Sequence, residues 1–334
     1  MSESGDYSPA AHWKGHDFAS LRRSYDDHVA SSMSKAVSSG VSSSDLIPET
    51  IETDCESPIV IAVDVTGSMG AWPATIFSKL PYLEHEAKEY YGDDFAISFS
   101  AVGDSFHDKY PLQVREFVQG AELENELKEL VIESGGGGNM CESYDLAAMY
   151  YASNCEMPEA IRKPVFIFIG DEGLFEGLSA NAESICHVKN DKRMTLKSLF
   201  EKLKKKFNVY CIRKSYYTTA DSDQMDRRES AIQEQWEELL GARNVFALPE
   251  PERVVDVIFG IFGHDTDRLE YFEEELRDRQ GKDDDGDHKI DIVLKTLHTV
   301  HDPKSVKKIA NPKSRSVTTR KSSKKMKSIS LLDD

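Results

Sequence analysis

In the run VDVTGSMG, Asp64, Thr66 and Ser68 stand on alternate residues directly after the apolar stretch PIVIAV. A carboxylate and two hydroxyls on one turn can converge on a hard cation, which prefers oxygen ligands. Gly67 and Gly70 allow the backbone to fold tightly around that point. The same residue types also cap helices that follow strands, so the triplet alone reads either as a cap or as a ligand set.

The surrounding elements decide where such a triplet would lie. PIVIAVDV, DFAISFSAV, PVFIFIGD, FNVYCIRK and NVFALP are short runs rich in Val, Ile and Phe, the pattern of strands buried on both faces. Segments of helical character separate them, over 71–91, 121–133, 142–154, 195–207 and 229–240. Alternating strands and helices predict an α/β fold, a mainly parallel, doubly wound sheet flanked by helices. A further strand over 112–117 is expected as an antiparallel edge. In such sheets ligands bind outside the carboxyl ends of the strands, which is where the triplet falls.

The pattern D-x-[ST]-x-S after a buried strand resembles the metal-ion-dependent adhesion site of von Willebrand factor A domains, and the similarity extends over about residues 57–262. The fold this implies is Rossmann-like. A second station of that family is a Gly-rich loop before a helix that donates a hydroxyl, usually from Thr. Here Gly135 to Gly138 precede Asn139, Met140, Cys141, Glu142 and Ser143, without a Thr. The loop resembles the G-G-G-D-x-P-E branch found in intracellular A domains, some joined to alpha-kinases. On that alignment Asn139 takes the Asp position and Glu142 the Glu position, with Ser143 the nearest hydroxyl. One of the three is expected to complete the ligand ring, and Glu142 could equally serve the helix dipole. The resemblance makes Asp171, ending PVFIFIGD, the third station, reaching the metal directly or through water. It sets Asp104 and His107 of AVGDSFHD, with Gly67 and Gly138, at the rim that meets a partner.

What the resemblance implies is a Mg²⁺ site, with Mn²⁺ or Ca²⁺ as alternatives. If a single carboxylate touches the ion directly, the ion keeps residual positive charge and an exchangeable position. A protein ligand presenting Asp or Glu can then complete the shell. The function expected is a metal-dependent protein-binding module, for scaffolding or assembly, and not an enzyme: no P-loop Lys-Ser or Lys-Thr follows the Gly run. The alternatives are a regulatory subunit of an ATPase or chelatase-type complex, or a structural component tethered to nucleic acid.

Composition bounds these readings. The 334 residues carry 41 Lys and Arg against 59 Asp and Glu, a net charge of −18, which disfavours broad attraction to phosphate backbones. Residues 301–334 hold ten Lys or Arg and three Asp, net +7, against −25 for the rest. That basic tail, expected to be disordered, suits nucleic acid, an anionic surface or a nuclear address. No apolar run approaches the length of a membrane span and the first thirty residues hold no secretory apolar segment, so neither secretion nor a membrane span is expected. With five cysteines lacking C-x-x-C spacing, reduced thiols and a cytoplasmic location are expected, or a nuclear one through the tail. The regions expected are a polar, Ser-rich arm over 1–56 with one helix carrying Phe18, Leu21, Tyr25 and Val29; the A-like domain over 57–262; an acidic helical extension over 263–300; and the tail. Asp283, Asp284, Asp285 and Asp287 fail the EF-hand pattern, since Ile292 falls where a bidentate Glu belongs, and read as a solvated charge run. Cys141 finds no paired His in the sequence and reads as an incidental thiol.

Overall fold

The computed structural model describes residues 27, 46–70, 72–133, 140–189, 194–215, 222–280 and 286–298. The expected arm helix apart from Asp27, Gly138 and Asn139, Asp283 to Asp285, and the basic tail lie outside the described residues. Six strands form one sheet: β1 (Ser57–Asp64), β2 (Phe95–Val102), β3 (Leu112–Val114), β4 (Val165–Gly170), β5 (Asn208–Lys214) and β6 (Val245–Leu248). Their order across the sheet is β6-β5-β4-β1-β2-β3. All neighbours run parallel except β2 and β3. The antiparallel edge expected over 112–117 is therefore present. It is shorter than expected, with a bridge from Ile97 to Val118 beyond it.

Period-two alternation of strand side chains sorts the core into two layers. Ile59, Ile61 and Val63 of β1 join the cluster on one face, and Val60 and Ala62 join the other. The first face is covered by α1 (Trp72–Ser78), α2 (Leu80–Tyr91) and α7 (Val254–Asp265), through Trp72, Leu83, Ile258 and Phe262 among others. The second is covered by α4 (Tyr144–Asn154), α5 (Leu196–Lys206) and α6 (Ser222–Leu240), through Tyr151, Phe200, Leu203 and Trp236. A short α3 (Glu122–Lys128) lies between β3 and α4 in sequence. The doubly wound arrangement expected from the alternation of elements is thus the one observed.

Local chemistry sets the boundaries. Thr195 caps α5: its side chain accepts the Ser198 N–H at 3.2 Å while Ser198 Oγ accepts the Thr195 N–H at 2.9 Å, a reciprocal capping box. The single helix expected over 71–91 is two, broken at Lys79, with a proline in the first turn of α2, where the backbone N–H that proline lacks would have no intrahelical partner. Beyond α7, helices α8 (Leu269–Gln280) and α9 (Gly286–His298) follow. Phe272 and Leu276 of α8 and Ile290, Ile292 and Val293 of α9 belong to the same apolar cluster as β1. Asp287, from the expected charge run, sits in the first turn of α9, where a carboxylate complements the helix dipole.

Candidate metal centre

Strand order places the first-to-fourth strand junction at the point where the sheet's connections diverge to opposite edges, the place outside the carboxyl ends of the strands where α/β sheets bind ligands. Asp64 ends β1 and Asp171 follows β4, its neighbour in the sheet. By alternation Asp64 shares the face of Val60 and Ala62, the one packed against α4. Both carboxylates are fully buried.

A continuous chain of oxygens joins them. Thr66 donates to Asp64 Oδ1 from its backbone N–H at 2.8 Å and from its hydroxyl at 2.6 Å. Thr66 Oγ1 and Ser68 Oγ stand 3.1 Å apart, and Ser68 Oγ donates to Asp171 Oδ1 at 3.0 Å. The turn that brings this about is a single 3-10 turn, Gly67–Met69, closed by Met69 N–H on the Thr66 carbonyl at 3.2 Å. Gly70 ends it at φ +56°, a left-handed conformation that favours glycine. Gly67 and Ser68 are exposed, whereas Thr66 is buried.

Two residues that the sequence did not single out complete the arrangement. The Tyr144 hydroxyl, at the start of α4, donates to Asp64 Oδ2 at 3.0 Å. Lys214, the last residue of β5, places Nζ 3.4 Å from Asp171 Oδ2 and also donates to the Ser68 carbonyl. The one signal for Lys214 in the sequence was a cation ending the buried run FNVYCIRK; its place beside the strand that supplies Asp171 emerges only in the fold. Tyr144 carried no such signal, because an aromatic in an apolar helix reads as core.

The remaining candidates form a second tier. Glu142 is buried, and its Oε2 has no hydrogen-bond partner among the described residues. Ser143 Oγ accepts the Ser105 N–H at 2.9 Å, and Ser143 N–H donates to the Gly103 carbonyl at 3.0 Å, tying the start of α4 to the loop after β2. In that loop Asp104 is buried, accepts the Phe106 N–H at 2.8 Å and meets His107 Nδ1 at 2.6 Å. Thus Asp64, Thr66, Ser68 and Asp171 are brought into one run of close oxygens, in which each hydroxyl gives its single proton to a carboxylate and the two hydroxyls face each other without one. Glu142, Ser143, Asp104 and His107 gather beside it.

Crowding of carboxylates governs the electrostatics. Burial first, and then the neighbouring Asp171 carboxylate, raise Asp64 to about 7 despite the hydrogen bonds from Thr66 and Tyr144. Burial, followed by Asp64, Asp104, Asp108 and Asp171, lifts Glu142 to about 10. The Cys141 thiol is pushed up by burial and then by Glu172, Glu142 and Asp104, so it is held protonated, the opposite of what a nucleophile needs.

The donor set can be tested for a cation. Among the described residues no three His, Cys, Asp or Glu side chains gather as a metal-holding group, so any centre here must draw on hydroxyls. Oxygens held about 2.1 Å from Mg²⁺ in octahedral geometry stand about 3.0 Å from one another. The successive spacings along Asp64, Thr66, Ser68 and Asp171 are 2.6, 3.1 and 3.0 Å, all within hydrogen-bond range, the last two also near such an octahedral edge and the first shorter. All are hard oxygen donors, and the unpartnered Glu142 Oε2 lies within electrostatic reach of both aspartates. The residues fit a hard dication.

No protein-family model and no curated protein matches this chain. Among solved structures, proximal thread matrix protein 1 from the mussel byssus is similar at 11% identity and a TM-score of 0.39, covering 63% of this chain and 48% of its own. The pilus adhesin SpaC of Lactobacillus rhamnosus GG is similar at 11% identity and a TM-score of 0.43, covering 67% of this chain and 32% of its own. Its open conformation gives 10% identity, a TM-score of 0.43, and coverage of 67% and 31%. The chain spans about half or less of the length of these proteins.

Proposed function

We propose that this chain is a von Willebrand A-like domain with a metal-ion-dependent adhesion site, working as a divalent-cation-dependent protein-binding module. The observation that carries the reading is the oxygen chain from Asp64 through Thr66 and Ser68 to Asp171, with Glu142 beside it. Asp64, Thr66 and Ser68 are the residues to hold Mg²⁺, with Mn²⁺ or Ca²⁺ as alternatives, and Asp171 binds directly or through water. The cation supplies a positive charge with an exchangeable position for a partner's Asp or Glu carboxylate. The protein's own residues bury the carboxylates, orient them through Tyr144 and Thr66, and leave Ser68 at the surface. No helix among the described residues is long and apolar enough to cross a membrane.

A second reading has an observation of its own. Lys214 already places an ammonium beside Asp171, so the centre could be neutralised internally and work without metal. Calorimetric titration of Mg²⁺ into chelator-treated protein separates the two. The metal reading expects saturable binding that Asp64→Ala and Asp171→Ala abolish while far-UV circular dichroism stays unchanged. Heat-silent titration, with no thermal stabilisation by Mg²⁺, Mn²⁺ or Ca²⁺, would leave the Lys214 reading standing.

A further inference from the structure

Three large hydrophobic side chains are exposed among the described residues: Phe106 at 62%, Met140 at 37% and Ile161 at 67%. Two of the three, Phe106 and Met140, belong to the loops that frame the oxygen chain. Phe106 lies in the loop after β2, one residue beyond Ser105, whose N–H is held by Ser143. Met140 directly precedes the short Cys141–Glu142 strand, which pairs in parallel with Gly173–Leu174, and the Gly173 N–H donates to the Met140 carbonyl at 3.3 Å. Phe175 follows that pair, and its ring meets the Phe106 ring edge-on at 4.9 Å between centroids.

These rings do not dangle. Asp104 accepts the Phe106 N–H at 2.8 Å, Asp108 Oδ2 accepts the Asp104 N–H at 2.8 Å, and the Asp108 N–H donates to the Asp104 carbonyl at 2.7 Å. Gly103 sits so tightly against this turn that a Cβ there would lie 2.6 Å from Asp108 Oδ2. A rigid turn thus holds a mostly exposed aromatic ring against a second ring, on the edge where the buried carboxylates gather. Exposing such a ring costs solvation free energy, and rigid aromatics set in a polar rim are the usual anchors of protein interfaces.

We infer that the Phe106–Phe175 pair is a second anchor of the partner-binding surface, and that the partner is a protein segment carrying an acidic residue within a few positions of an aromatic or large aliphatic one. The inference rests on the proposed cation-dependent reading: the carboxylate answers the cation at Asp64, Thr66 and Ser68, and the apolar side chain packs on Phe106. The charge of the edge selects against a purely apolar occupant, because without a counter-charge the cation would lose hydration uncompensated. The apolar pair in turn selects among acidic segments, which a cation alone treats alike.

A phage library of random peptides, panned on the full chain in Mg²⁺ and eluted with chelator, tests this. Enriched sequences should pair Asp or Glu with Phe, Tyr, Trp, Leu or Met nearby. A synthetic peptide from that set should lose about tenfold in affinity when its apolar residue becomes Ala. Phe106→Ser, with Phe175→Ser as a second variant, should erase that difference, and thermal unfolding controls for the fold. Chelator-eluted acidic peptides without an apolar neighbour would overturn the inference and leave the cation reading intact. Absence of any chelator-eluted peptide would overturn both. Concentration-dependent self-association abolished by Phe106→Ser would assign the ring pair to contacts between copies of this chain, and so overturn the inference.

Discussion

The Tyr144 hydroxyl reaches Asp64 Oδ2 at 3.0 Å, joining residues 80 positions apart in the chain. It does so across Gly170, where a Cβ would lie 1.8 Å from that hydroxyl oxygen. The glycine that ends β4 therefore makes room for the tyrosine that orients the carboxylate ending β1. The link explains why the strand before Asp171 ends in Gly, and it couples the α4 layer to the proposed centre.

Gly170→Ala should push Tyr144 out of this position. Overpacking in a tight core costs about 1–3 kcal/mol, and the change should also loosen Mg²⁺ binding. Tyr144→Phe removes only the hydrogen bond, at about 1 kcal/mol, and keeps the packing against Phe168 and Trp236. Urea unfolding of both variants checks the ordering; a Gly170→Ala protein as stable as the parent contradicts it.

Stability should fall with rising pH when chelator is present. Asp64 titrates at about 7 in the fold, against about 3.9 for an unperturbed Asp. The native state thus keeps a proton that the unfolded chain has already released, so the destabilisation grows from about pH 4 and levels off above about pH 7. Glu142, raised to about 10, extends the decline. Saturating Mg²⁺ should flatten the profile, because the cation takes over the proton's neutralising role. Unfolding midpoints from about pH 5 to about pH 8, with and without Mg²⁺, measure both effects; superimposable profiles would refute the link. Asp64→Asn should remove the Asp64 share and stabilise the chelated protein while losing the response to Mg²⁺.

Lys214→Met separates the two readings of the centre. The Lys214 ammonium competes with a dication for Asp171, so its removal should tighten Mg²⁺ binding by about tenfold or more, as Coulomb energies at this range allow. If Lys214 is instead the built-in counter-charge, the variant leaves Asp171 buried beside Asp64 without compensation. It should then lose stability that added Mg²⁺ does not restore. Thermal shift with a Mg²⁺ titration distinguishes these outcomes.

Much of this architecture was legible in the sequence because strands buried on both faces write themselves as apolar runs. PIVIAV and PVFIFI leave little choice but central parallel strands, and their first polar residues, Asp64 and Asp171, had to emerge at one edge. Register and reach were not legible. Nothing in YDLAAMYYA distinguishes Tyr144, which turns its hydroxyl onto Asp64, from Tyr150 and Tyr151, which pack edge to face in the core. Lys214 was hidden for a related reason, since which strand neighbours β4 depends on crossovers rather than on local pattern. The break at Lys79 was missed because the apolar periodicity runs on through it.

The resemblance to A domains stops near residue 262, and the acidic composition of 263–300 reads as an appendage. The packing argues otherwise. Phe272, Leu276 and Val293 are fully buried in the cluster that covers β1, and a Cβ at Gly260 in α7 would lie 2.2 Å from Leu297 of α9. Gln280 donates to Asp256 at 3.1 Å, and Arg279 pairs with the buried Glu86 of α2. Cutting the chain after residue 262 would expose the outer surface of α7, whose residues from Val254 to Gly263 are all buried. Leu276→Ala alone should cost about 2–5 kcal/mol, and the 46–262 fragment should unfold or aggregate where 46–298 folds cooperatively. A truncated fragment with an unchanged melting temperature would show instead that α8 and α9 are an ornament on a self-sufficient sheet.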